Sequence, residues 1–251
     1  MRMEAALATL AFVPGLAVGS FLSVVASRVP LRLSVAHPGS ACMSCGTPIA
    51  WYDKVPLLSF LVLGGRCRQC EARIPWRDPA VELASALLVT GCVVAFGLTG
   101  AAAVAALSCG ALVVVTATDF EHRIVPNRVV LPAAAAVLAL HTAVSPSAEW
   151  SLAALGAAGA LFLVALAYPG GLGMGDVKLA LLIGAMLGRT APLALMLATL
   201  LALVPSLVLL ARHGSRARKL AIPFAPFLAL GSVIALFAGD ALLDVYFGVF
   251  R

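Results

Sequence analysis

The 251-residue chain is 62% hydrophobic and only 11% charged, with a mean hydropathy of +1.06, more apolar surface than one soluble domain of that length can bury. Those figures exclude a soluble globular protein and describe a polytopic membrane protein. The net charge of +6 does not describe a nucleic-acid binder either: the basic residues lie in loops beside apolar runs, as the positive-inside rule places them, and not on an aromatic-interleaved surface.

A membrane-crossing helix needs about 20 mainly apolar residues. The first such run, 5–26, lacks a small-residue cleavage site before Arg28 and is expected to be a retained span, not a signal peptide. The stretch 28–78 follows, with no long apolar run and with seven basic residues: Arg28, Arg32, Lys54, Arg66, Arg68, Arg73 and Arg77. Within it stand the pairs Cys42/Cys45 and Cys67/Cys70, separated by 21 residues. Two Cys-x-x-Cys turns can bring four thiolates into a tetrahedral array, so a structural zinc ion in a ribbon-like loop is the expectation. Paired disulfides are the alternative, and a reducing cytoplasmic loop disfavours them. Further runs lie at 79–98, 101–118, 129–144, 150–168, 177–188, 191–211 and 224–247. The fold class is therefore all-α, a bundle of about eight transmembrane helices. The 177–188 run is short enough to be tilted, partly re-entrant or fused to its neighbour, which would make seven. Cys92 and Cys109 fall inside apolar runs and read as small core residues. No internal repeat is evident.

Placing 28–78 in the cytoplasm tests the topology. Alternation then brings the loops 119–128, 169–176 and 212–223 to the same side, with Arg123, Arg128, Lys178, Arg212, Arg216, Arg218 and Lys219. Only Arg2, Arg189 and Arg251 of the 17 basic residues remain on the other. The same alternation carries Asp119 and Asp176 to one membrane face. A carboxylate within or at the edge of hydrocarbon costs about 2.5–3.5 kcal/mol, so such acids mark function. Two that can share a proton are equipped for peptide hydrolysis, one activating water while the other polarises the scissile carbonyl. Gly173 and Gly175 bare the chain around Asp176, allowing close approach and unusual backbone angles. Glu121 points about 200° around a helix from Asp119, towards the headgroups, and with His122 is a minor competitor for its role. Glu82 opens a span on the same side, either as an interfacial acid paired with Arg77 or another base, or with a part in methyl transfer or substrate binding. Lys178 either snorkels to headgroups or tunes the acids and holds substrate. Asp240 and Asp244 are boundary residues of the opposite face, and His37, His141 and His213 have no partner spacing.

The strings around these residues run, in order, GSFLSVVASRVP, CMSC, CRQC, PAVELASALL, TDFEHRIVPN, GMGDVKL and IPFAPFLALG. In that order and spacing the chain resembles the bacterial type IV prepilin leader peptidases, membrane aspartic proteases of the GxGD type. The resemblance implies that Asp119 and Asp176 are a catalytic dyad cutting the short basic leader of prepilins or pseudopilins at the cytoplasmic face of the bacterial inner membrane. It also implies N-methylation of the new terminus from S-adenosylmethionine, an activity associated with the N-terminal region. The family's usual Asn in GSFLNVV is Ser23 here. The expected organisation is a first span at 1–27, a zinc-binding cytoplasmic loop at 28–78 and a transmembrane peptidase domain at 79–251. The competing readings are a proton-coupled transporter and a non-catalytic, zinc-stabilised assembly component. The expected partners are prepilin substrates and the lipid bilayer, with no nucleic acid.

Overall fold

A computed structural model of the chain describes residues 2–169, 171–214 and 222–249, without the side chains of residues 2–5 and 249. The loop bases Arg216, Arg218 and Lys219, the Arg2 side chain and Arg251 lie outside what is described. The described residues are helical, with two isolated β-bridges and no strand. The helices are α1 (Arg2–Arg28), the short α2 (Leu58–Val62), α3 (Arg77–Phe96), α4 (Gly100–His122), α5 (Asn127–Val144), α6 (Glu149–Ala167), α7 (Met174–Leu187), α8 (Ala191–His213) and α9 (Ala225–Val249). The contacts divide the chain into two units, 1–118 and 119–251, with the boundary inside the last turns of α4.

In the first unit α1 and α3 run antiparallel in close contact. Gly15 and Gly19 make this possible. A methyl group on Gly15 would lie 2.8 Å from the Ala86 Cα, and one on Gly19 2.7 Å from the Glu82 Cα. Lipid tails are as apolar as the helices themselves, so helix association here rests on such small-residue contact and not on a hydrophobic driving force.

In the second unit α7 is the central helix. From Leu179 to Leu187 every residue but Leu181 is buried, and α5, α6 and α9 pack around them. Gly184 lies against the backbone of Ala153 and Ala154 with no room for a side chain. By length and composition the run Met174–His213 counts as one 40-residue span, which gives seven spans among the described residues. At about 1.5 Å per residue such a helix would be roughly twice the ~30 Å hydrocarbon thickness. The chain instead turns back at Gly188, whose φ of +56° interrupts the helix. The neighbours give the direction. Gly239 of α9 meets Thr190 just after α7, and Gly231 meets Ala194 and Ala198 further along α8, so α8 and α9 are antiparallel. Because α9 starts beside Asp119, whose charge acts on Asp176 at the start of α7, α7 and α9 run parallel. The short sixth run and its neighbour are therefore two antiparallel helices.

The turn between them is pinned by polar contacts. The Arg189 amide donates to Glu149 at 2.9 Å, its guanidinium pairs with Asp240 at 2.8 Å, and the His141 and Trp150 rings stack 3.8 Å apart. Asp240, expected as a plain boundary residue, thus has Arg189 as its partner.

Two helix boundaries differ from the hydropathy reading in a way that matters for the acids. The third span was expected to end at 118, but α4 continues to His122, and the Arg123 amide still donates to the Asp119 carbonyl at 2.9 Å. The sixth was expected to start at 177, but α7 starts at Met174. Hydropathy fades at the first charge, whereas the backbone hydrogen-bond ladder does not. Both aspartates are therefore inside helices, one near a C-terminus and the other in a first turn.

Candidate active site

Asp119 sits one turn from the end of α4 and is 7% exposed. Its Oδ2 accepts a 3.3 Å hydrogen bond from the backbone N–H of Ala225, the first residue of α9. The four leading amides of a helix have no partner within it, and the helix dipole is positive there, so a carboxylate suits that position. Asp176 occupies the third position of α7, counted from its N-cap Gly173. The Asp176 amide donates to the Gly173 carbonyl at 3.1 Å, and the Gly173 N–H is within reach of the Asp176 carboxylate. An acid at this position facing the N-cap amide has the placement of a capping-box residue. The two carboxylates are near enough for their charges to repel one another. Each is thus held at the start of a helix, α9 for Asp119 and α7 for Asp176.

The glycines beside Asp176 act through space and not through unusual backbone angles. Gly173 has an extended backbone, with a φ of −77°, and a methyl group on it would lie 3.4 Å from the Asp176 carboxylate. One on Gly175 would lie 2.8 Å from the Val125 Cβ, so Gly175 lets the segment after α4 pass directly across α7. Lys178, one turn from Gly175, donates to the Asn127 side chain at 3.0 Å and ties α7 to the start of α5. Glu121 and His122 are exposed and face one another at 3.7 Å. Neither the Val125 contact nor the amide of Ala225 was foreseen, and the Ala225 amide comes from 106 residues along the chain.

In the first unit the four cysteines converge. The sulfurs of Cys42, Cys45, Cys67 and Cys70 all lie within 4.8 Å of one another, with Cys42 and Cys70 at 3.7 Å. They are free thiols, and among the described residues theirs is the only such ligand cluster. Each pair sits in a knuckle of the same geometry. In the first, the Cys42 amide donates to the Thr47 carbonyl and the Gly46 amide to the Cys42 carbonyl, both at 2.9 Å. In the second, the Cys67 amide donates to the Ala72 carbonyl at 2.8 Å and the Glu71 amide to the Cys67 carbonyl at 3.0 Å. The residue after each second cysteine, Gly46 or Glu71, has a left-handed φ of +70° or +56°. Bridges close both loops, Ala41 with Pro48 and Arg66 with Arg73.

The knuckles form an internal repeat that the sequence reading passed over. Cys42, Cys45, Ile49, Trp51 and Asp53 recur in order as Cys67, Cys70, Ile74, Trp76 and Asp78. The constant offset is the signal that would have found it. Backbone N–H groups within the knuckles, those of Cys45 and Ser44 for Cys42 and of Cys70 and Gln69 for Cys67, draw those thiols below their ordinary range. The Thr47 hydroxyl and amide do the same for Cys45. Cys70 is pushed up to about 12: the Ala72 amide favours its thiolate, but desolvation and the three neighbouring sulfurs outweigh it. Four sulfurs this close with N–H donors aimed at them match the donor set of a tetrathiolate metal site. Between the knuckles lies a hollow of about 250 Å³, with Tyr52, Asp53, Arg68 and Asp78 among its walls. The Arg68 guanidinium makes two bonds to Asp53, at 2.6 and 2.9 Å, and lies over the Tyr52 ring; it holds the Asp53 carboxyl below the usual range.

Glu82 reaches from α3 to this module. Its carboxylate accepts the Leu57 amide at 2.8 Å and is within hydrogen-bonding reach of the Ser20 hydroxyl. Its principal partners are therefore uncharged, in place of the basic partner expected. Arg77 pairs with its neighbour Asp78 at 2.8 Å. Ser23 is buried and donates to the Ser20 carbonyl at 3.0 Å. Cys92 and Cys109 are buried, as expected of core residues.

Residues 13–96 match the bacterial peptidase A24 N-terminal domain, and residues 106–208 match the type IV leader peptidase family. A protein of Bacillus subtilis described as a prepilin leader peptidase/N-methyltransferase is 35% identical over 94% of this chain and 96% of its own length. The chain belongs to the type IV leader peptidase family. Two relatives with the same description, from Pseudomonas aeruginosa and Myxococcus xanthus, are 32% and 39% identical over 92% and 74% of this chain, and 90% and 58% of their own. No solved structure matches the chain. This family member carries its two acids and its cysteine module in separate units.

Proposed function

We propose that this chain is a membrane aspartic endopeptidase that removes the short basic leader of prepilins or pseudopilins at the cytoplasmic face of the bacterial inner membrane, with Asp119 and Asp176 as its catalytic pair. The observation that carries the reading is the meeting of two carboxylates from α4 and α7 at helix ends, Asp119 bonded to the Ala225 N–H and Asp176 in the first turn of α7, close enough to interact. In that arrangement one ionised aspartate takes a proton from water as it attacks the scissile carbonyl. The other, still protonated, donates to the carbonyl oxygen as charge develops there. Dividing the roles in this way requires one carboxyl of the pair to hold a proton while the other is ionised. Lys178 and Asn127 hold the start of α5 against α7 beside the acids.

Cys42, Cys45, Cys67 and Cys70 hold a structural zinc ion, which supplies fold to a segment with little apolar core of its own. N-methylation of the product draws on S-adenosylmethionine, which supplies the methyl group when bound. The hollow between the knuckles does not by itself fit that cation, because Asp53 and Asp78 are already paired with Arg68 and Arg77 and the Arg68 guanidinium covers the Tyr52 ring.

Two alternatives fare less well. A proton-coupled transporter would hold its acids near the bilayer midplane on broken helices, whereas these two stand at helix ends. A scaffold without chemistry has no use for a repelling carboxylate pair. Asp119→Asn and Asp176→Asn should each abolish leader cleavage in proteoliposomes while leaving insertion and zinc content unchanged. Full cleavage by either variant removes that residue from the pair. Incubating the protein with prepilin and a labelled methyl donor separates the two activities, since a processed but unlabelled product identifies a peptidase alone.

A further inference from the structure

The cysteine module has an apolar outer surface that its own fold does not use. Trp51 and Trp76, equivalent positions of the two repeats, are 81% and 78% exposed. Leu58, Leu61 and Val62 of α2 are exposed beside them, and Phe60 of α2 stacks edge-on against Trp76 at 5.0 Å. A water-bathed loop of some 50 residues would not present two tryptophans and an apolar helical turn outward, because a patch of that kind marks an interaction surface.

Three observations say what covers it. The module is attached at both ends to helices long and apolar enough to cross a membrane, α1 and α3. The turn before α2 is bonded to Glu82, five residues into α3, through the Leu57 amide; at about 1.5 Å per residue that anchor lies roughly 7–8 Å beyond the start of the span. The module is thereby held down at the level where α3 enters the membrane. Its charge is the third observation. Seven bases stand against Asp53, Glu71 and Asp78, and two of those acids are occupied by Arg68 and Arg77. Exposed Arg32, Lys54, Arg66 and Arg73 are left as a cationic excess on the same module as the tryptophans. Amphipathic aromatic rings at headgroup depth, ringed by lysine and arginine, are the composition of an interfacial membrane contact.

We infer that the two-knuckle module lies on the membrane, with Trp51, Trp76 and the α2 turn in the boundary between headgroups and acyl chains and with Lys54, Arg66 and Arg73 on anionic phospholipid headgroups. The module is then a surface-seated part of the membrane body and not a free cytoplasmic domain. This goes beyond the proposed catalysis and does not depend on it.

Trp51 is the diagnostic residue, because Trp76 directly precedes a span. The zinc-loaded full chain carrying Trp76→Phe and Trp150→Phe keeps Trp51 as its one tryptophan. It is reconstituted alone in vesicles of phosphatidylethanolamine and phosphatidylglycerol with chains brominated near the headgroup end. Trp51 emission should be blue-shifted, quenched by the brominated lipid and shielded from acrylamide in the water. Adding Lys54→Gln, Arg66→Gln and Arg73→Gln should abolish the dependence of quenching on the phosphatidylglycerol fraction. Water-like emission with acrylamide quenching overturns the proposal. So does a Trp51 shielded from both quenchers, which identifies a protein surface as its cover. A dependence on phosphatidylglycerol that survives the charge changes overturns the assignment of the three bases. Should the double tryptophan variant lose its zinc, the Trp150→Phe chain takes its place: an acrylamide-accessible fraction there puts Trp51 outside the membrane and overturns the proposal, and full shielding with lipid quenching supports it.

Discussion

Replacing Gly175 with alanine tests the geometry of the acid pair without touching either carboxylate. The added methyl carbon would stand 2.8 Å from the Val125 Cβ and 3.1 Å from its Cγ2. Carbon atoms rest at about 3.5–4.0 Å, so α7 and the segment after α4 must part by roughly 1 Å. That segment follows Asp119 directly, and the first turn of α7 carries Asp176, so the displacement falls on the separation of the two acids. Misplacing reacting groups by about 1 Å costs on the order of 10²-fold in rate, or about 2.7 kcal/mol of barrier. The overpacking itself costs about 1–3 kcal/mol of stability. The assay is single-turnover leader cleavage in proteoliposomes, with thermal denaturation followed in parallel. Val125→Ala removes the methyl groups but leaves the nearer Cβ, so it should restore part of the lost rate; Val125→Gly should restore more. Cleavage by Gly175→Ala within about twofold of the parent refutes the reasoning, because it would mean the segment does not position Asp119 relative to Asp176. Failure of both Val125 changes to restore any rate refutes it as well, since contacting residues are expected to couple.

Other outcomes follow from the same contacts. Glu82→Ala leaves the partly buried Leu57 amide without its acceptor at a cost of about 1–3 kcal/mol, which should show as earlier zinc release on heating; Glu82→Gln keeps an acceptor and should lose little. Gly19→Leu pushes a side chain into the backbone of α3 at Glu82 and should lower the melting temperature through about 1–3 kcal/mol of overpacking, whereas the same change at Gly156, with open space around it, should be near neutral. Cys67→Ser should remove the bound metal, measured by elemental analysis, and expose 58–73 to added protease while the helices of the second unit stay protected. The Asp53 carboxyl is held below its ordinary range by Arg68, so this clasp contributes at neutral pH and is lost as pH falls through the lowered value. Arg68→Gln should therefore resemble the parent at strongly acidic pH and differ from it at neutral pH in protease sensitivity of the module.

The membrane helices were legible because hydrocarbon imposes one rule on every residue of a span: the side chains must be apolar and the backbone must bond to itself. That rule is local, so hydropathy found α1, α3, α5, α6, α8 and α9 to within a few residues. It failed at the ends of α4 and α7, where helical backbone continues through Asp119 and starts before Asp176. The cysteines were legible for a similar reason, since each Cys-x-x-Cys turn is made by residues a few positions apart. The repeat relating Cys42, Ile49 and Trp51 to Cys67, Ile74 and Trp76 was equally present and was passed over, because most of the residues between the matching positions differ.

By itself the sequence determined that this protein crosses a membrane several times, that two acids stand at the edges of its spans, and that four cysteines come in two knuckles. All of these depend on short-range chemistry. Only the tertiary structure decided that the Ala225 amide meets Asp119, that Val125 lies across Gly175, and that the chain reverses at Gly188 to set α7 among α5, α6 and α9. Such pairings join residues up to 106 positions apart. No local propensity encodes them, because they depend on which helix faces find room for one another.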